Sequence, residues 1–233
     1  MSDNIAIIFG AGSKIGLSVT NKFLSNDYKV VTVSRSDFKI DNEDQYSENY
    51  YHFKADLTDL SVVPKVFAKT KELFGEPRVI IYNAAAVRWN EGKDDVFDPP
   101  VEELIEHTNV NTFAVYSALQ QAIKIYPNIK SSKPKTFIFT GNAQNLLTFP
   151  TLFTLGVGKS ATYSALQVAD NVYGSKYGYR FYFADERVED GGPAIQGTSG
   201  PAAAEFYYDL AENENKGIPV EATFVPGKGY VKF

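Results

Sequence analysis

Ile5-Ala6-Ile7-Ile8-Phe9 runs straight into Gly10-Ala11-Gly12-Ser13-Lys14-Ile15-Gly16, and Ile15–Ser25 then carries a helical pattern. An unbroken apolar run that stops at a glycine reads as a strand buried on both faces. The turn after it opens a helix whose first N–H groups and positive dipole end can meet an anion. With glycines in the turn, the backbone itself can approach a pyrophosphate. In this strand–turn–helix setting Gly10, Gly12, Ser13, Lys14, Ile15 and Gly16 read as a dinucleotide cradle; glycines that serve packing alone are the other reading.

Outward from this unit the same rhythm continues. Further strands are predicted at Lys29–Ser34, Tyr50–Phe53, Val79–Asn83, Thr136–Thr140, Tyr179–Ala184 and Glu221–Phe224, with helices at Leu60–Phe74, Val101–Ile125, Lys159–Lys176 and Ala202–Glu212. Apolar strands alternating with helices predict a doubly wound α/β fold: a mostly parallel, seven-stranded sheet with its ligands at the carboxyl ends of the strands. A length of 233 residues fits one domain, residues 1–233, and a composition that is 44% hydrophobic and 14% aromatic suffices for a large core.

Two segments break the pattern. Asp41–Asn49 is acidic and reads as a solvated loop. Asp185–Pro201 carries Gly191, Gly192, Gly197 and Gly200 and follows a strand, so it is expected to cover the ligand end as a mobile lid rather than serve as a plain connection. Its acidic residues Asp185, Glu186, Glu189 and Asp190 read as part of that solvated lid in preference to a cation site.

Composition removes several classes of function. There is no cysteine, hence no disulfide, thiol catalysis or cysteine-ligated metal, and His52 and His107 are the only histidines, so no metal site is expected. His107 reads as a helix-surface residue before a base. With 23 Lys+Arg against 28 Asp+Glu the formal charge is −5, which argues against a nucleic-acid partner. No apolar run is long enough to cross a bilayer, and the start reads as a strand rather than a leader, so the cytoplasm is the expected location and no membrane partner is expected. Gly197-Thr198-Ser199-Gly200 lacks the strand–serine–helix setting of a hydrolase nucleophile.

The second strand ends Val33-Ser34-Arg35-Ser36. An NAD(H) site usually places an acidic residue here, bonded to the ribose. Ser34 and Arg35 suit a 2′-phosphate instead, through charge-assisted contact, and Lys14 adds positive charge. NADP(H) is therefore favoured over NAD(H); a merely solvated Arg35 is the alternative.

The order of these motifs resembles the short-chain dehydrogenase/reductase family, a Rossmann-type fold, from Ile5 to about Ala184. That family's Gly-x-x-x-Gly-x-Gly turn is matched at Gly10 and Gly16, with Lys14 at the middle glycine. Asp56, in Ala55-Asp56-Leu57-Thr58-Asp59, resembles its aspartate beside the adenine, and Tyr82-Asn83-Ala84-Ala85 resembles its Asn-Asn-Ala-Gly segment. The resemblance thus adds Asp56, Leu57, Asn83, Ala84 and Ala85 to the expected cofactor site. Asn111 matches the asparagine that holds a relay water.

The resemblance also implies a tyrosine acid four residues before a lysine. The lysine is Lys159, expected to bind the nicotinamide ribose, but the tyrosine position is Leu155 and the family's serine falls on Asn142. The standard proton relay is absent. Asn111, Asn142 and Lys159 remain as candidate catalytic residues, the Asn142 amide as a donor to a carbonyl oxygen. Tyr163, one turn beyond Lys159, points away from the missing tyrosine and reads as packing; Tyr116 and Thr151 are weaker candidates still. The family's Pro-Gly turn after the sixth strand is likewise replaced, by Asp185-Glu186-Arg187.

Two functions stay open. One is an NADP(H)-dependent oxidoreductase with an altered relay, acting on the carbonyl or activated double bond of a small molecule. The other is a catalytically inactive dinucleotide-binding sensor or interaction protein. By resemblance, the helices at Val101–Ile125 and Lys159–Lys176 are expected to assemble the chain as a homodimer or homotetramer. The aromatic end of the chain is expected to cover a sheet edge or a subunit contact.

Overall fold

β1 (Ile5–Phe9) is buried at every residue because it is flanked on both sides within one eight-stranded sheet. The computed structural model describes residues 4–90, 95–194, 197–213 and 217–233. After β1 come α1 (Ile15–Leu24), β2 (Lys29–Ser34), α2 (Glu43–Tyr46), β3 (Tyr50–Lys54), α3 (Val62–Leu73), β4 (Val79–Tyr82) and α4 (Val101–Thr108). A π turn (Asn109–Phe113) leads into α5 (Ala114–Ile125), followed by β5 (Thr136–Thr140) and α6 (Phe153–Ala169). A second π turn (Asp170–Gly174) precedes α7 (Ser175–Tyr177), β6 (Arg180–Glu186), α8 (Gly200–Glu212), β7 (Glu221–Val225) and β8 (Gly229–Tyr230).

The strand order is β3-β2-β1-β4-β5-β6-β7-β8, parallel except for the last pair. The order reverses between β1 and β4, so the chain leaves these two strands in opposite directions and opens a crevice at their carboxyl ends. Side chains alternate across the sheet. Ile7, Phe9, Val31, Tyr82, Phe139 and Phe183 pack with α3, α5 and α6 on one face, while Ala6, Ile8, Val30, Ile81, Ile138 and Tyr182 pack with α1 and α8 on the other.

The sheet has eight strands, not the expected seven. β8 consists of only two residues, too short for a periodic signal. It returns through a turn with Gly227 and Gly229 at positive φ and pairs Tyr230 with Phe224, covering the β7 edge. The helix expected at Lys159–Lys176 begins earlier, at Phe153. Gly156 and Gly158 weaken its intrinsic helical signal, yet a Cβ at 158 would crowd the Cβ of Asn111, so the small residue permits close helix packing. Asp41–Asn49 is not wholly loop: α2 is one helical turn, with Glu43 and Asp44 at its positive end and Tyr46 resting on the core. β6 runs two residues beyond the expected Ala184 and takes in Asp185 and Glu186.

Candidate functional site

A cavity of about 900 Å³ lies at the carboxyl ends of the first four strands. Gly10, Gly12 and Ser13 line it from the turn, Ser34 and Arg35 from the end of β2, Asp56 and Leu57 from the end of β3, and Asn83, Ala84 and Ala85 from the end of β4. Gly10 has φ +85°, and a Cβ there would overlap the Ala84 backbone. The Asn83 amide donates to the Gly10 carbonyl at 2.7 Å and fixes the turn. A Cβ at Gly12, by contrast, would meet nothing within 4 Å. No side chain caps the start of α1. Open room beside an uncapped helix start suits a pyrophosphate. Lys14 and Gly16 lie beside this cavity without lining it; Lys14 is exposed and Gly16 buried, and Ile15 lines a second cavity.

At the β2 end, the Ser34 hydroxyl donates to the Ser36 carbonyl at 2.7 Å and shapes the loop. Asp37 is taken by Lys54 at 2.9 Å. Arg35 is exposed, and among the described residues no carboxylate pairs with it. Lys39 lines the same end. Asp56 accepts from the Thr58 N–H at 2.9 Å, which fixes its loop against the cavity.

The second cavity, about 360 Å³, shares Ala85 and Val87 with the first. Leu155 and Lys159 of α6, Asn142 after β5, and Asp185 and Glu186 of β6 line it, with Trp89, Phe149 and Leu152 as an apolar wall. Lys159 Nζ donates to the Thr140 carbonyl at 2.6 Å and sits 4.4 Å from the centre of the Phe139 ring. Burial pushes this amine down to about 8, the charge of Asp185 partly opposing the shift. Asn142 Oδ1 accepts from the Gln144 N–H and its Nδ2 donates to Gln144 Oε1, both at 3.1 Å, which leaves one amide hydrogen for a ligand. The Tyr207 hydroxyl donates to Thr140 Oγ1, which donates to Asn83 Oδ1, each at 2.9 Å. This chain ties α8 and β5 to the glycine turn through Asn83.

Asn111 stands apart from both linings. It is 1% exposed in the π turn, accepts from the Ala86 N–H at 2.9 Å and donates to the Ala86 carbonyl at 2.8 Å. Its own carbonyl accepts from Thr162 Oγ1 at 2.8 Å. Its visible work is to anchor the segment after β4. Tyr163 packs edge-on against Phe183 outside the second cavity, and Tyr116 is exposed. His107 lines the first cavity and shares a 2.8 Å hydrogen bond with Thr154.

Sequence reasoning placed Asp185 in a solvated lid. It lies instead at the end of β6 and is 1% exposed, with Oδ2 accepting from Arg187 Nε at 2.6 Å. Burial first of all pushes its carboxyl up to about 6, against the opposing pull of Arg187. Two residues apart on a strand, Asp185 and Arg187 share a face; that spacing directly after an apolar run was the available signal. Glu186, on the other face, accepts from the Ser199 N–H with both oxygens, at 3.0 and 2.9 Å. From Arg187 the loop folds into a tight turn closed by an Arg187–Pro193 bridge and a 2.9 Å bond from the Val188 N–H to the Gly192 carbonyl. Pro193, Ala194 and Thr198 then border the second cavity; residues 195–196 of the expected lid lie outside the described residues. Among the described residues no three His, Cys, Asp or Glu side chains group as metal ligands.

Comparison with known proteins agrees with this architecture. A family model described as short chain dehydrogenase matches residues 4–135. The short chain dehydrogenase/reductase dmxR12 of Cryptosporiopsis sp. (strain 8999) is 38% identical over 244 aligned residues, covering 100% of this chain and 96% of the relative. Among solved structures, ElxO with NADP bound superposes with a TM-score of 0.75 at 18% identity, covering 96% of each chain. A short chain dehydrogenase from Leptospira borgpetersenii serovar Hardjo-bovis with bound NAD+ gives a TM-score of 0.77 at 14% identity, covering 99% of this chain and 93% of the other. At such identities these two likenesses speak to the fold.

Proposed function

This chain belongs to the short-chain dehydrogenase/reductase family, and on that premise we propose that it is an NADP(H)-dependent oxidoreductase with an altered proton relay, acting on a carbonyl or activated double bond. The observation that carries the cofactor preference is Arg35: an exposed guanidinium lining the β2 end of the first cavity, beside Ser34 and Lys39, with no carboxylate partner among the described residues. ElxO with NADP and the Leptospira protein with NAD+ place both cofactors within this fold, so the preference rests on this chain's own residues.

In this reading the turn at Gly10, Gly12 and Ser13 and the start of α1 (Lys14, Ile15, Gly16) hold the pyrophosphate. Ser34 and Arg35 hold the 2′-phosphate, Asp56 and Leu57 the adenine, Asn83 to Ala85 the middle of the cofactor, and Lys159 the nicotinamide ribose. Bound there, a reduced nicotinamide would supply the hydride. Asn142 donates to the substrate carbonyl, Leu155 with the aromatic wall excludes water, and the loop over Asp185–Pro201 covers the substrate. Asn111 supports this constellation from behind.

Titration of the purified protein with NADPH and NADH, by nicotinamide fluorescence and calorimetry, tests the reading. Micromolar NADPH binding with far weaker NADH binding is expected; binding of neither refutes it. Leu155 in the tyrosine position favours a second reading, a dinucleotide sensor without chemistry, for which stoichiometric NADPH binding without turnover on a carbonyl and enone panel is the mark. We further propose a cytoplasmic homodimer or homotetramer assembled through the helices of Val101–Ile125 and Phe153–Tyr177. Exposed Phe113, Tyr116, Val168 and Val172 support such a contact, and among the described residues no helix is long and apolar enough to cross a membrane. Light scattering that returns the monomer mass of 25.8 kDa would exclude the assembly.

A further inference from the structure

The second cavity contains four side chains able to give or take a proton, and their hydrogen bonds separate them. Tyr207 spends its hydroxyl proton on Thr140 Oγ1 at 2.9 Å. Lys159 is anchored on the Thr140 carbonyl at 2.6 Å. Glu186 has both oxygens on the Ser199 N–H. Asp185 alone keeps an oxygen uncommitted: Oδ2 accepts from Arg187 Nε at 2.6 Å, while Oδ1 makes no hydrogen bond among the described residues. The carboxyl is 1% exposed yet lines the cavity that Asn142, Leu155 and Lys159 also line.

Strand geometry gives the reason. Thr140 of β5 pairs with Ala184 of β6, so Asp185 lies one residue further toward the ligand end, level with the segment that leads to Asn142. By alternation it shares a face with Phe183, the face packed by α6, from which Lys159 comes. Its charged surroundings are Arg187 beyond the strand, Lys159 of α6, Glu221 of β7, its neighbour Glu186 and the hydroxyl of Tyr207 on α8.

We propose that Asp185 is the proton donor of this cavity, doing from β6 the work that a tyrosine at position 155 would do from α6; this rests on the oxidoreductase reading above. The substrate carbonyl carbon accepts a hydride from a reduced nicotinamide dinucleotide. The C=O π bond breaks, and its electron pair takes the proton from the Asp185 carboxyl. The products are an alcohol, the oxidised dinucleotide and an Asp185 carboxylate, which is reprotonated by a proton from bulk solvent, so that each turnover consumes one proton. Arg187 is the positioning residue for the carboxyl, holding Oδ2 at 2.6 Å. Burial that favours its neutral form is consistent with this role.

The test compares the wild type with Asp185→Asn, Arg187→Gln and the double variant Leu155→Tyr/Asp185→Asn. The probes are NADPH with 4-nitrobenzaldehyde and phenanthrenequinone, aromatic carbonyls chosen for the Trp89, Phe149 and Leu152 wall. Independently of turnover, infrared titration of the cofactor-free protein follows the protonated-carboxyl stretch. The wild type is expected to show a buried carboxyl titrating near pH 6 that Asp185→Asn removes and Arg187→Gln moves to higher pH. Asp185→Asn should bind NADPH within about threefold of wild type yet lose about 100-fold or more in kcat, and the double variant should regain at least about tenfold. That rescue separates a proton donor from a merely structural carboxyl.

Retained kcat in Asp185→Asn, or a carboxyl band unaffected by it, overturns the assignment. If Asp185→Asn fails to fold, Arg187→Gln decides, and an unmoved band and pH profile overturn it. Should the wild type bind NADPH but reduce neither probe nor any member of a carbonyl and enone panel, the sensor reading holds, and the assignment is overturned together with the oxidoreductase reading. Loss of NADPH binding by the wild type itself would instead refute the dinucleotide reading.

Discussion

Replacing Arg35 with alanine should remove the discrimination between the two nicotinamide dinucleotides. The guanidinium is exposed at the end of β2 and lines the first cavity without a carboxylate partner among the described residues, so its field is available to a ligand. Two unit charges about 4 Å apart attract by about 1 kcal/mol in bulk water and about 4 kcal/mol at the dielectric of a protein surface. A phosphate monoester carries about −1.5 to −2 charges at pH 7, but the exposed position lies near the watery limit, so about 2 kcal/mol is the expected worth of the contact. That is about 30-fold in Kd. NADPH binding to Arg35→Ala, measured by nicotinamide fluorescence at low salt, should weaken by that factor, while NADH binding changes by less than about threefold. The wild-type advantage for NADPH should also shrink as ionic strength rises from about 0.05 to 0.5 M, because the contact is screened. Equal loss for both dinucleotides, or no loss for either, would refute the placement of the 2′-phosphate at Arg35.

Filling the open cradle with Gly12→Val should cut NADPH affinity at least tenfold while thermal unfolding stays within about 2 °C of wild type, since a Cβ there meets nothing within 4 Å. Gly10→Ala should behave in the opposite order and lower Tm before any binding assay is made, because its φ is +85° and its Cβ would strike the Ala84 backbone. Phe139→Ala removes a 1% exposed ring between Tyr82 and Phe183 and should cost about 3–5 kcal/mol in urea unfolding, a much smaller loss meaning that the site collapses onto its neighbours. Burial pushes the Asp185 carboxyl up to about 6 in the folded chain against 3.8 for an ordinary aspartate, so the unfolded chain gives up its proton first as pH rises. Folded stability should therefore fall between about pH 4 and pH 6 by at most about 3 kcal/mol, and Asp185→Asn should flatten that part of the stability–pH curve.

Much of this architecture was legible because its signals are local. An unbroken apolar strand such as Ile5–Phe9, a glycine turn and a helical run each fit within a dozen residues, and their repetition defines the parallel sheet. The first cavity follows from the same units, since the ends of β1, β2, β3 and β4 lie on one side of the sheet once the strands are parallel. What escaped depends on neighbours distant in sequence. β8 pairs with the edge that β7 offers, and the start of α6 carries Gly156 against Gln144 and Gly158 against Asn111, contacts with residues distant in sequence. Asp185 looked like a solvent residue because charge next to glycine-rich sequence usually is one; only the pairing of β6 with both β5 and β7 encloses it.

The proposed relay has a physical logic that sets the two functional readings apart. Asp185 and Lys159 are both held where burial works against their charged forms, the carboxyl raised to about 6 and the amine lowered to about 8. Each shift is a cost to the folded chain. A protein that only binds a dinucleotide has a use for Lys159 but none for a buried carboxyl in the second cavity, whereas a proton donor needs a group whose proton affinity lies close to the working pH. Leu155 is part of the same arrangement. With Leu152, Phe149 and Trp89 it forms the apolar wall of the cavity, and apolar surroundings favour the protonated form of a carboxylic acid. A tyrosine at 155 would bring its own hydroxyl and water into that wall and lower the proton affinity of Asp185. On the proposed assignment, leucine at 155 and the buried carboxyl at 185 therefore belong together: the donor acts from β6, and Leu155 keeps its surroundings apolar.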